Sequence, residues 1–264
     1  MAEDVAELLT DGRIVDWTAL QSADRQELLR RFVATPRLAS FTFGQLLNAQ
    51  ITVDAISVLR FLQSRITQSE TEGRDYEALP FDWDDRLDFR ASSDFGAVLS
   101  DLAEWLTQTD SWQREMHGTT LFKQIVGSFD EEVLTLILSL VRSGTEREVG
   151  LAASLLGQAE RTLVLSEPQF VEQAVTIAQT LGSELAERIT QALHRAAAYG
   201  WGSRTVGEDS PEEIALIKGA TVLADKLPAG TPVHDFYVTV AKHARSRMNS
   251  ERAHDAQLYE RRRW

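Results

Sequence analysis

The sequence predicts an all-α protein: irregular N-terminal helices followed by a regular run of helix pairs. Three observations predict it. No sustained alternation of Val, Ile, Thr and aromatic residues is present, and no Asn-Gly or Asp-Gly pair joins two such runs as a hairpin would require. Apolar residues recur instead at intervals of three and four, which puts them on one helical face. Capping residues stand ahead of most of these runs.

The elements follow in chain order. Ser22 precedes a run ending at Pro36, with Leu28, Leu29, Phe32 and Val33 on one side. Val53 to Ile66 repeats apolar residues at Ile56, Val58, Leu59 and Leu62. The stretch from about 67 to 92 is polar and acidic and contains Gly73 and Pro80, so it reads as a long connection holding at most a short helix or strand. A connection of this length marks a functional loop or a domain boundary. It divides the chain into an N-terminal helical region, 1–92, and a helical-repeat region, 93–264, which can also be continuous with the first. Ser93 can cap a helix carrying Phe95, Val98, Leu99, Leu102, Trp105 and Leu106.

From Ser128 onward the signals become regular. Ser128 to Glu131 and Thr145 to Glu148 both read as capping boxes, in which the hydroxyl takes an orphan backbone N–H and the glutamate reaches back. Between them, Val133 to Val141 is apolar nearly all round, as a central helix should be. Ser166-Glu167-Pro168 reads as a cap, an acid in the first turn and an early proline. Phe170, Ala174, Ile177 and Leu181 line the helix behind it. Gly182 stops that helix, and Ser183 caps the next, with Leu185, Ile189, Leu193 and Ala196. Ser210-Pro211 and Thr231-Pro232 open two more, the last carrying Val233, Phe236, Tyr237, Val240, Ala244 and Met248.

The first helix of each pair is capped at Ser128, Ser166 and Ser210, spacings of 38 and 44 residues. In period, capping and apolar stripe, residues 128–258 therefore resemble a HEAT or armadillo-like α-solenoid of about three helix pairs. The proline in mid-first-helix, and the aspartate and basic residue that HEAT units tend to repeat, are not found. An irregular bundle would show the same stripes. The resemblance implies stacked amphipathic pairs that present an extended surface to a partner.

Composition bounds the function. The chain has 264 residues, 43% hydrophobic and 25% charged, enough to build a core without staples. With no cysteine it has no disulfide, thiolate metal site or cysteine nucleophile, which fits a reducing, cytoplasmic location. Net charge is −13, which argues against broad affinity for nucleic acid or anionic lipid. The charge is polarised: residues 1–132 hold 12 Lys/Arg against 24 Asp/Glu, whereas Lys242 to Trp264 holds 7 against 3. The N-terminus lacks a basic n-region, and no apolar run approaches the roughly 20 residues that span a bilayer, so neither signal peptide nor membrane anchor is expected.

Few residue constellations suggest chemistry. Asp82 to Asp88 contains a DDxxD string at Asp84, Asp85 and Asp88, which resembles the magnesium-binding motif of class I prenyl-diphosphate enzymes. Those enzymes are all-α, and oxygen ligands suit Mg²⁺. Their chemistry needs the acids on a helix facing a deep apolar cavity with a second metal motif opposite. Here the string follows Pro80 in the least helical part of the chain, and no second motif is present. It reads first as a solvated acidic loop with aromatic anchors.

His117, His194, His234, His243 and His254 form no metal-ligand motif. His243 and His254 fall on nearly one face of the last helix and read as exposed. The glycine-rich Tyr199 to Gly207 lacks the ending of a phosphate loop. Candidate partner-binding residues are Trp201 and Arg204 in that loop, Arg245 and Arg247 on the last helix, and Arg261, Arg262, Arg263 and Trp264 at its end. The expectation is a non-enzymatic helical-repeat module that binds a protein partner and needs no cofactor. The alternatives are an all-α magnesium enzyme using Asp82 to Asp88, and nucleic-acid contact through the basic C-terminal helix.

Overall fold

The structure is a computed structural model that describes residues 17–38, 40–72, 76–80, 87–108, 110–198 and 207–261. The described residues are all-α: helix accounts for 79% of them and no strand occurs among them. Eleven α-helices are described: α1 (Ser22–Val33), α2 (Ser40–Glu72), α3 (Phe95–Thr107), α4 (Trp112–Val126), α5 (Glu131–Ser143), α6 (Glu146–Leu156), α7 (Leu163–Ser166), α8 (Pro168–Leu181), α9 (Ser183–Ala198), α10 (Pro211–Ala224) and α11 (Pro232–Arg261). Short 3₁₀ turns stand at Trp17–Ala19 and Phe89–Ala91. The contacts divide the chain into two compact units, Met1–Leu136 and Ile137–Trp264. No helix among the described residues is long and apolar enough to cross a membrane.

In the first unit, α1, α3 and α4 each pack against α2. Phe32 of α1 meets Phe43 of α2 edge-on at 5.1 Å, which ties the two helices, and Phe43 in turn meets Phe61 of α2 at 5.7 Å. Helix α2 is longer than its apolar run predicts, and it is broken at Asp54, which takes φ −159° and ψ 85°. Asp54 acts as an internal N-cap. Its Oδ1 accepts the Ser57 N–H at 2.9 Å, while the Ser57 hydroxyl donates to the Asp54 carbonyl. Gln50 spans the break, accepting from the buried Trp17 indole N–H at 3.1 Å and donating to Ser57 Oγ at 2.9 Å.

Helix α2 also extends through residues 67–72, which the sequence assigned to the long connection. The described remainder of that connection is anchored: Tyr76, Ala78, Leu87 and Phe89 are buried. Helix α4 was not anticipated at all. It opens on Ser111, whose side chain accepts the Arg114 N–H at 3.3 Å, and stops at Gly127 with φ +61°. It crosses α3 closely, since a Cβ on Gly118 would lie 2.3 Å from Leu106 Cδ2.

Helix α5 contains the division between the units. It buries Val133, Leu134, Ile137, Leu138, Leu140 and Val141 but exposes Thr135 and Ser139, so it is not apolar all round as predicted. Its cap is Asp130 rather than Ser128. The Asp130 carboxylate accepts the Val133 N–H at 3.3 Å, and the Ser128 carbonyl instead takes the Arg90 guanidinium at 2.6 Å.

In the second unit, α9 packs against α6 and α8, and α10 pairs with α11. Thr145, Ser210 and Thr231 each accept a backbone N–H three residues on, at 3.2, 3.3 and 3.3 Å, as the sequence predicts. Ser166 does not cap α8. It closes the short α7, its hydroxyl donating to the Leu163 carbonyl, and Pro168 still stands at the start of α8. Gly182, at φ +118°, ends α8 and its carbonyl accepts the Ala186 N–H, so Ser183 is the first residue of α9 rather than its cap.

Candidate functional site

In the first unit, an open cleft of about 430 Å³ lies along α2, lined by Leu29, Arg30 and Val33 from α1 and by Ile56, Arg60 and Phe61 from α2. A second cleft, of about 420 Å³, adjoins it, with Gln63, Thr67 and Gln68 of α2 and Trp105 of α3 in its wall. Val33, Arg60 and Ser64 line both, so together they form one groove that runs from the Asp54 cap along the second half of α2.

The polar groups of this groove are mostly spent. Arg30 pairs with Glu27 through Nε at 2.8 Å, and together with Arg31 it pulls the Glu27 carboxyl down to about 2. Asp54 caps the helix, and the Ser57, Ser64 and Thr67 hydroxyls donate to backbone carbonyls of α2. The Gln63 amide donates to Asp101 and the Gln68 amide to Glu72, each at 2.9 Å. Arg60 is different. Its exposed guanidinium, at the junction of the two clefts, has no hydrogen-bond or ion-pair partner among the described residues.

Behind the groove, Arg65 lies one turn further along α2 and is fully buried. It donates to the carbonyls of Phe32 at 2.8 Å and Thr35 at 2.9 Å, to Pro36, and to Glu77. Its guanidinium also covers the Tyr76 ring at 4.6 Å. Burial lowers its basicity, opposed by the nearby Tyr76 and Glu77. This cation closes the C-terminal end of α1, where carbonyls lack intrahelical partners. It is a structural group.

No family model, curated protein or solved structure matches the chain.

The residues singled out from sequence are dispersed. Asp84 and Asp85 lie outside the described residues; Asp88 is exposed, and its backbone N–H donates to Asn48 Oδ1 at 2.9 Å. No group of three or more His, Asp or Glu that could hold a metal occurs among the described residues. Trp201 and Arg204 lie outside them too, as do Arg262, Arg263, Trp264 and the Arg261 side chain. Arg245 donates to Thr221 Oγ1 at 3.2 Å. Arg247 grips the buried Glu213 with two bonds, at 2.9 and 3.1 Å, and Glu213 also pairs with Arg161.

Sequence reasoning missed the groove, Arg60 and a histidine pair. His194 of α9 stacks near Phe236 at 4.7 Å and lies 5.6 Å from His243 of α11. Burial, with a smaller push from His243, takes His194 down to about 4. His243 and His254 are exposed, as expected.

Proposed function

We propose that this chain is a non-enzymatic helical interaction module, with its helix pairs arranged as a HEAT-like repeat, that holds a segment of a protein partner in the groove along α2. One observation carries the reading. Two adjoining clefts share Val33, Arg60 and Ser64, which makes an elongated, amphipathic trough open along its length rather than an enclosed small-molecule cavity. A helix or extended segment laid in such a trough meets apolar side chains at regular intervals and a polar rim beside them.

The test uses Ser64, which is exposed and belongs to both clefts, so a bulky side chain there fills the groove without touching the core. Affinity capture from the native host with wild-type chain and with Ser64→Trp should return a polypeptide that the variant loses, with unchanged melting temperature and helical circular dichroism. Equal capture by both chains would overturn the reading.

A further inference from the structure

Resting on that reading of the groove, we infer that its occupant is an acidic segment: one Asp or Glu side chain flanked by aliphatic residues, the carboxylate pairing with Arg60. Three features lead there. First, Arg60 sits where the two clefts meet, and it has no partner among the described residues, whereas most neighbouring cations are paired. Arg30 and Arg31 hold Glu27, and Arg65 is saturated with backbone carbonyls. Second, the other charged groups of the lining do not compete for a carboxylate: Arg30 is engaged with Glu27, and Asp54 is engaged in capping. A segment laid over Arg60 desolvates it, and a desolvated guanidinium requires an anion, which it binds with two parallel N–H donors. Third, apolar surface lies beside and on either side of that charge, Val33 at the junction with it, Ile56 toward one end and Trp105 toward the other, all half-buried. An acid set between aliphatic residues matches this order of surfaces; a basic segment would bring like charges together.

The charge balance adds weight. In a chain of net −13, whose residues 1–132 are twice as acidic as basic, a groove lined by Arg30 and Arg60 against the carboxylate of Asp54 is a local exception. It gives an acidic partner a point of attraction against an otherwise repelling surface.

The experiment is a selection of random 16-residue peptides displayed on phage against the immobilised full chain, followed by Kd measurements by fluorescence anisotropy. The expected consensus holds Asp or Glu between aliphatic residues. Arg60→Gln should weaken the best peptide at least tenfold, as should replacing its acid by the amide, and each change should have little further effect in the presence of the other. Raising salt from 0.05 to 0.5 M should weaken wild-type binding much more than Arg60→Gln binding. Ser64→Trp should abolish both, and all three chains should melt alike. A consensus without an acid, lost on Ser64→Trp but indifferent to Arg60→Gln, would overturn the acidic segment and leave the groove. Peptides that bind Ser64→Trp as well as wild type would overturn both readings. Failure to enrich any peptide would overturn the acidic segment, with the groove then judged by the capture experiment. Dimers in sedimentation that vanish on Arg60→Gln would make the occupant a second copy of this chain and overturn the partner.

Discussion

At the scale of single residues, the two units each bury a charge and satisfy it in opposite ways. Arg65 is held by carbonyls 12 to 33 residues away along the chain, and its guanidinium bonds to backbone oxygens rather than to a carboxylate. Removing it strands those carbonyls at the end of α1, so Arg65→Ala should cost roughly 3–5 kcal/mol in urea denaturation. Arg65→Lys should recover only part of this, because one ammonium cannot reach the same fan of acceptors. Glu213 does the reverse, a buried anion held by Arg161 and Arg247. Glu213→Ala should cost about as much, since it leaves Arg161, itself 14% exposed, without its anion.

His194 adds a pH dependence of definite sign. Its pKa is about 4 in the folded chain, against an ordinary 6.5. Between those values the unfolded chain binds the proton and the folded chain does not, so protonation favours unfolding. The contribution is complete above pH 6.5 and is lost as pH falls toward 4, on the order of 3 kcal/mol in all. Stability measured across that window should fall less steeply for His194→Gln than for wild type. Parallel curves would show that His194 is not the titrating group.

At the scale of elements, close crossings and caps decide where helices stop and how near they approach. Gly118 sits where α4 meets Leu106 of α3, and an added Cβ would lie 2.3 Å from Leu106 Cδ2. Helix propensity favours Gly118→Ala by about 1 kcal/mol. The clash outweighs it: the variant should lose roughly 1–3 kcal/mol net, read as a lower urea midpoint at constant slope. Asp54→Ala removes the cap of the second half of α2 and should cost about 1 kcal/mol. Because the second half of α2 carries Arg60, the same variant should also show faster amide exchange at Ser57, whose N–H loses its acceptor.

At the scale of the whole molecule, α11 reaches further than its apolar stripe. Beyond Met248 it is fastened by polar bonds to the segment that enters α10: Asp255 accepts the Gly207 N–H at 2.9 Å, and Arg252 pairs with Asp209. Residues 256 and 257 are exposed. Deleting Arg261 to Trp264 should therefore cost less than about 1 kcal/mol by thermal denaturation, and substantial unfolding would place the terminus in the core. The sequence alone determined that the chain is helical, and it located α6, α10 and α11 through Thr145, Ser210 and Thr231. Caps and stripes act between residues one to four apart, and so they are written locally. It misplaced the cap of α5 and the start of α8, where Asp130 and Pro168 compete with a nearby serine and geometry chooses between them. It passed over α4, whose opening serine is followed by few apolar residues before Phe122. What only the tertiary structure decided is the use of the charges. Arg247, Arg65 and Arg60 look alike in sequence, yet one is clamped by Glu213, one is sunk among backbone carbonyls and one is left free in a groove. Those fates depend on partners some 30 residues away, brought close by packing, and no local pattern encodes that distance.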